Sequence, residues 1–108
     1  LGYAFMKIGD LPSAETHVKR AVELAPDDAK AYLLLGTISY RLGETVDAES
    51  NFKSAIGVDP VPSEPYFNLA LICAKSGRRE DGRDYYAKAL ERGAVPDQLL
   101  ETRLEGKP

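Results

Sequence analysis

Residues 29–60, AKAYLLLGTISYRLGETVDAESNFKSAIGVDP, carry two apolar stripes of helical spacing separated by a glycine. In the first, Tyr32, Leu35, Ile38, Ser39 and Leu42 recur at steps of three and four residues, which sets them on one face of an α-helix. Gly43 ends that helix, because glycine enters the left-handed backbone of a helix C-terminus without steric penalty. In the second, Val46, Ala48, Phe52, Ala55, Ile56 and Val58 form another stripe. It stops at Asp59-Pro60, since proline disfavours helical backbone in the residue before it. The segment reads as a helical hairpin, and the small Ala55 lets a neighbouring helix approach closely.

The same pattern returns at an offset of 34 residues, where sixteen of the 74 possible pairs are identical; unrelated sequence gives roughly four or five. The matches fall where geometry is demanding: Gly9, Gly43 and Gly77; Ala14 and Ala48; Ala21, Ala55 and Ala89; Pro26 and Pro60; Tyr32 and Tyr66; Leu1, Leu35 and Leu69. A fixed period of this size marks stacked units that bury their apolar faces against one another. The spacing predicts helices over 1–8, 12–24, 29–42, 46–57, 63–76, 80–92 and 97–105, with Ser63 as an N-cap and Pro65 tolerated in the turn after it. Alternating stretches are short and the prolines sit at unit boundaries, so the fold class is all-α, an array of antiparallel helix pairs.

Composition narrows the function classes. With 44% hydrophobic and 29% charged residues in 108, the chain is an ordinary globular one, neither disordered nor fibrous. Its apolar runs, such as residues 31–36, are far short of a membrane span, which argues against direct membrane insertion. No basic segment followed by an apolar stretch reads as a signal peptide, and Leu1 in place of Met points to a piece of a longer protein. A net charge of −3 has the wrong sign for gripping nucleic acid over a whole surface. Cys73 is the sole cysteine and His17 the sole histidine, so no internal disulfide and no zinc cluster can form, and no metal or cofactor is expected. The composition suits the cytoplasm, a periplasm or an organelle alike.

Catalysis needs groups that converge within hydrogen-bond reach, and few are offered. His17 sits among Glu15, Thr16 and Lys19 and reads as a solvated histidine; Cys73 falls on an apolar stripe and reads as a buried small hydrophobe. Arg78, Arg79, Glu80, Asp81, Arg83 and Asp84 mix both signs, as a solvated helix face does. The glycines keep turn spacing and form no phosphate loop. The expectation is a protein that is not an enzyme, with no catalytic residues.

The 34-residue hairpin with an aromatic-x₂-Leu-Gly start, then Ala-x₃-aromatic, then Pro, resembles the tetratricopeptide repeat. The middle unit supplies Tyr32, Leu35, Gly36, Gly43, Ala48, Phe52, Ala55 and Pro60. The third supplies Tyr66, Leu69, Ala70 in the glycine place, Gly77, Tyr86, Ala89 and Leu90, and a shortened first keeps Leu1, Gly2, Phe5, Gly9, Ala14, Val18, Ala21 and Pro26. Gly82, Ser39, Cys73 and Ala94 depart from the pattern, and Gly82 is expected to make the helix over 80–92 the softest, by roughly 0.5–1 kcal/mol relative to alanine. The resemblance implies an α-solenoid, a right-handed superhelix. It consists of a partial repeat over 1–28, repeats over 29–62 and 63–96, and a capping helix with its tail over 97–108, in which Leu99, Leu100 and Leu104 share the covering side.

The resemblance further implies a concave binding face made from first helices. On that face fall Tyr3, Met6 and Lys7; Lys30, Leu33, Leu34, Thr37, Tyr40 and Arg41; and Glu64, Phe67, Asn68, Leu71 and Lys75. Leu33, Leu34, Tyr40, Phe67 and Leu71 would anchor a partner, or be covered by a neighbouring element. Lys7, Arg41 and Lys75, one period apart, would form a basic ladder, or simply favour the macrodipoles of their own helices. Some tetratricopeptide domains hold an acidic peptide tail by a Lys and Asn clamp. Here Leu33 and Phe67 stand where polar groups would be wanted, so an apolar or amphipathic segment is the better ligand. The implied function is a protein interaction module binding a peptide or helix. The alternatives are self-association into a homo-oligomer and a regulatory segment of a larger enzyme or secretion and assembly protein.

Overall fold

Six helices and no strand make up residues 10–106, the part of the chain that the computed structural model describes. They are α1 (Leu11–Leu24), α2 (Ala29–Arg41), α3 (Thr45–Val58), α4 (Glu64–Lys75), α5 (Arg79–Glu91) and α6 (Gln98–Glu105). Each helix expected between residues 12 and 105 is present with its ends displaced by no more than one residue. The expected helix over 1–8 lies outside the described residues.

Local chemistry sets the boundaries. The carboxylate of Asp10 accepts from the Ser13 N–H at 3.3 Å and opens α1. Asp28 accepts from Lys30 and Ala31 N–H at 3.1 and 3.3 Å and opens α2, and Asp97 accepts from Leu100 N–H at 3.0 Å and opens α6. At the ends of α2 and α4 the chain turns left-handed at Gly43 (φ +82°) and Gly77 (φ +77°). The next N–H groups, of Glu44 and Arg78, then reach back to the Ser39 and Cys73 carbonyls at 2.8 and 2.9 Å, closing the helix ends. Ser63 does stand just before α4, but its backbone is already helical (φ −75°, ψ −27°) and its side chain makes no capping hydrogen bond. A capping side chain needs extended backbone to reach the first N–H groups, so the role expected of Ser63 is not met.

The chain divides after Pro60 into two compact units. In the first, α2 packs against both α1 and α3. Ala14 and Val18 from α1 meet Leu35 and Ile38 from α2, with Val22, Leu34 and Leu42 around them. On α3, Ala48, Phe52 and Ala55 are buried, and the Phe52 ring fills the space above Gly36 so closely that a β-carbon there would lie 2.7 Å from Cε1. Val46 is 83% exposed, because at 100° per residue it stands about 200° round the helix from Ala48. Val58, in the last turn, is exposed as well.

In the second unit α4 pairs with α5, and α6 lies across both. Leu100 and Leu104 of α6 are 2% exposed and pack with Ala70 and Tyr86, each burying roughly 1.5–3 kcal/mol of apolar side chain. The Tyr86 hydroxyl donates to the Glu101 carboxylate and accepts from the Asp97 N–H at 3.0 Å, while Arg83 donates to the Leu104 carbonyl at 2.7 Å. Leu99 is 67% exposed, since one residue, about 100°, separates it from the Leu100 side of the helix. Gly82, read from sequence as a soft point, is buried beneath α6. A β-carbon there would come within 2.5 Å of Leu104 Cδ2 and 3.2 Å of Cys73 Cβ, so the missing methyl is what lets α6 seat. No helix of the described chain is long and apolar enough to cross a membrane.

Candidate partner-binding surface

The residues expected to line a binding face fall on α2 and α4, with Tyr3, Met6 and Lys7 outside the described residues. On α2, Lys30 and Arg41 are exposed, while Leu33, Leu34, Thr37 and Tyr40 are half-buried. Leu34 leans on the Ala14, Val18, Leu35 and Ile38 cluster. The Thr37 hydroxyl donates to the Leu33 carbonyl at 3.0 Å, so its proton is spent within the helix. On α4, Lys75 is exposed and Phe67, Asn68 and Leu71 are half-buried. Phe67 and Leu71 pack against the cluster of Ala70, Tyr86, Leu100 and Leu104. Three of the five apolar candidates are thus partly core. Arg41 and Lys75 occupy the last turns of α2 and α4, where a cation meets the negative end of its helix.

Within the second unit an open cleft of about 410 Å³ is walled by Ser63, Glu64, Phe67 and Asn68 of α4 and by residues 94–97, the turn between α5 and α6. The Phe67 ring is held against Tyr86, centroids 6.5 Å apart and planes tilted by 54°. Val95 is 81% exposed at the rim. The α5–α6 turn was absent from the residues picked by sequence. Its signal was available: Val95-Pro96 repeats Val61-Pro62 one period on.

Two ionisable groups are displaced from their usual behaviour. The Glu44 carboxyl is held above the ordinary carboxylate range, first by its hydrogen bond to Glu15, then by burial and by the Glu15 charge; Lys19, which reaches Glu15 Oε1 at 3.8 Å, opposes this. Glu15 Oε2 and Glu44 Oε1 are both shut off from water. Burial, followed by the hydrogen bond to Glu101, pushes the Tyr86 phenol up.

Hairpins of equal length, glycine turns one period apart and a final helix lying over the last pair define a helical-repeat protein. The chain belongs to the tetratricopeptide repeat family, whose model matches residues 1–65 and again 40–98. That fold is generally a non-catalytic interaction module. No curated protein matches the sequence. Among solved structures, MamA superposes with a TM-score of 0.82 at 27% identity, over 86% of this chain and 54% of MamA. YrrB, described as a TPR protein with an unusual peptide-binding site, gives 0.81 at 25% identity over 98% of this chain and 54% of its own. The chain therefore spans about half the length of each. The Yersinia enterocolitica type III secretion chaperone SycD, solved with a peptide of the translocator YopD, shares the fold with a TM-score of 0.86 at 16% identity, over 97% and 85%.

Proposed function

We propose that the chain is a non-catalytic interaction module that docks a peptide or helix of a partner protein on the half-open apolar face of a first helix, α2 in the first unit or α4 in the second. The observation that carries the reading is the set of large apolar side chains, Leu33, Leu34, Tyr40, Phe67 and Leu71, left half-open on these first helices of each pair. Around them Lys30, Arg41 and Lys75 supply charge and Asn68 a side-chain amide. The resemblance to YrrB, described as having a peptide-binding site, supports the same use. Tyr3, Met6 and Lys7, expected on the same kind of face, lie outside the described residues.

The test is selection of a 12-residue peptide from a random library against the chain, followed by calorimetric titration of Leu33→Glu and Arg41→Glu variants. Both sites are on α2, and circular dichroism establishes that the variants stay folded. Loss of affinity in Leu33→Glu supports the assignment, and unchanged affinity in both folded variants sinks it. Self-association is the second reading, favoured by the exposed Val46, Val95 and Leu99. A mass that stays monomeric across a concentration series in sedimentation removes it.

A further inference from the structure

We propose that the cleft between α4 and the α5–α6 turn is a subsite for a basic side chain, lysine or arginine, carried by the partner segment. This rests on the interaction function above and gives one part of its ligand a chemistry. The cleft combines an apolar wall with uncompensated acid. Phe67, fixed against Tyr86, forms the wall together with Val95 and Pro96. Glu64 stands exposed at the edge and makes no ion pair among the described residues. Asp97 uses one carboxylate oxygen to cap α6 and keeps the other. Neither lysine nor arginine lines the cleft.

A long cationic side chain answers both features at once, laying its methylene stem on the apolar wall and its charged head at the carboxylates. An aromatic face beside the head adds attraction for the cation. The unit already holds a contact of this kind, with the Arg92 guanidinium 4.3 Å above the Tyr66 ring. An acidic ligand would meet like charge, and a purely apolar one would leave both carboxylates unanswered. The Asn68 amide, which makes no hydrogen bond among the described residues, is placed to pair with the ligand backbone.

The experiment titrates the ¹⁵N-labelled chain at low salt with the capped peptide acetyl-Leu-Arg-Leu-Ala-amide and with its citrulline counterpart, which keeps the shape and removes the charge. The arginine peptide is expected to shift the Asn68 side-chain amide and the Val95 and Asp97 backbone resonances. Citrulline, or the substitution Glu64→Gln at an exposed position, is expected to weaken binding by about fivefold. Equal affinity of the two peptides, an undiminished affinity in Glu64→Gln, or no shift of these resonances at millimolar peptide overturns the subsite. If the library-selected peptide still loses affinity in Leu33→Glu, the wider docking function survives that failure; if that peptide too is indifferent, both fall.

Discussion

Gly36→Ala puts the close approach of Phe52 to Gly36 in the first unit to the test. The new methyl would sit 2.7, 2.8 and 3.1 Å from Cε1, Cδ1 and Cζ of Phe52, whereas carbon atoms settle at about 3.5–4.0 Å. The ring must retreat by roughly 1 Å. Phe52 is 1% exposed, so the retreat compresses its neighbours, and overpacking of this sort costs about 1–3 kcal/mol. Alanine returns close to 1 kcal/mol in helix propensity. One period on, Ala70 packs in the same cluster as Tyr86, so the fold accepts a methyl at this place once the ring is set for it, which favours the lower end of the range. The expected net loss is about 1 kcal/mol, a Tm lower by roughly 4–8 °C in a thermal melt followed by circular dichroism. Gly57→Ala is the control: Gly57 also lies within a helix but has open space around it, so the same exchange should raise Tm. A second substitution, Phe52→Leu, should shrink the penalty of Gly36→Ala through loss of the clash. If Gly36→Ala melts at or above the parent while Gly57→Ala behaves as expected, the close approach of the ring is not what holds glycine there.

Ser39 is 1% exposed and its hydroxyl has no hydrogen-bond partner among the described residues, so Ser39→Ala should stabilise the chain by about 1 kcal/mol in urea titration; a loss would mean that the hydroxyl is satisfied after all. For Glu44 the folded state raises the carboxyl pKa, so its stabilising contribution is complete below the unfolded value of 4.5 and is lost as pH rises through the folded one. Glu44→Gln should therefore be more stable than the parent at pH 7 and equal to it near pH 4, and a gap that stays constant between the two would rule out the raised Glu44 carboxyl. Tyr86→Phe leaves the Asp97 N–H and the Glu101 carboxylate without their partner and should cost about 1–2 kcal/mol, read as faster hydrogen exchange confined to α6 and the turn before it. Because the Tyr86 phenol is also raised, the parent should hold this contribution up to its unfolded value of 10.0 and lose it as pH climbs beyond, while Tyr86→Phe shows no such alkaline step.

The helices were legible because their signals are redundant. Tyr32, Leu35, Ile38 and Leu42 keep a 3.6-residue period, Gly43 and Gly77 keep a 34-residue one, and each checks the other. Errors came where only one signal spoke. Val46 and Leu99 are apolar and adjacent to true core positions, yet composition cannot say on which side of a helix a residue stands when the nearest buried neighbour is one or two positions away. Gly82 was legible only in part: a glycine in a helix has a known conformational cost, but the space it clears for Leu104 belongs to α6, which begins sixteen residues further on at Gln98.

The binding face resists the same reading for a deeper reason. A first helix of a repeat has a core stripe and an outward one, and the boundary between them is wide enough that Leu34, Phe67 and Leu71 serve both. Such residues look like exposed anchors in a periodic diagram and like core in a contact map. What separates the two roles is the element that covers them. For Phe67 the cover is partial and comes from the cluster that Tyr86 of α5 forms with Leu100 and Leu104 of α6, and the uncovered remainder opens onto the turn at residues 94–97. That turn has no helical period of its own; the repeat of Val61-Pro62 at Val95-Pro96 marks it in the sequence, but its place beside α4 emerges only when Ala94 to Asp97 are folded back. A repeat thus announces its scaffold by periodicity, while which of its surfaces stay open depends on how the connecting turns fold back onto the helices.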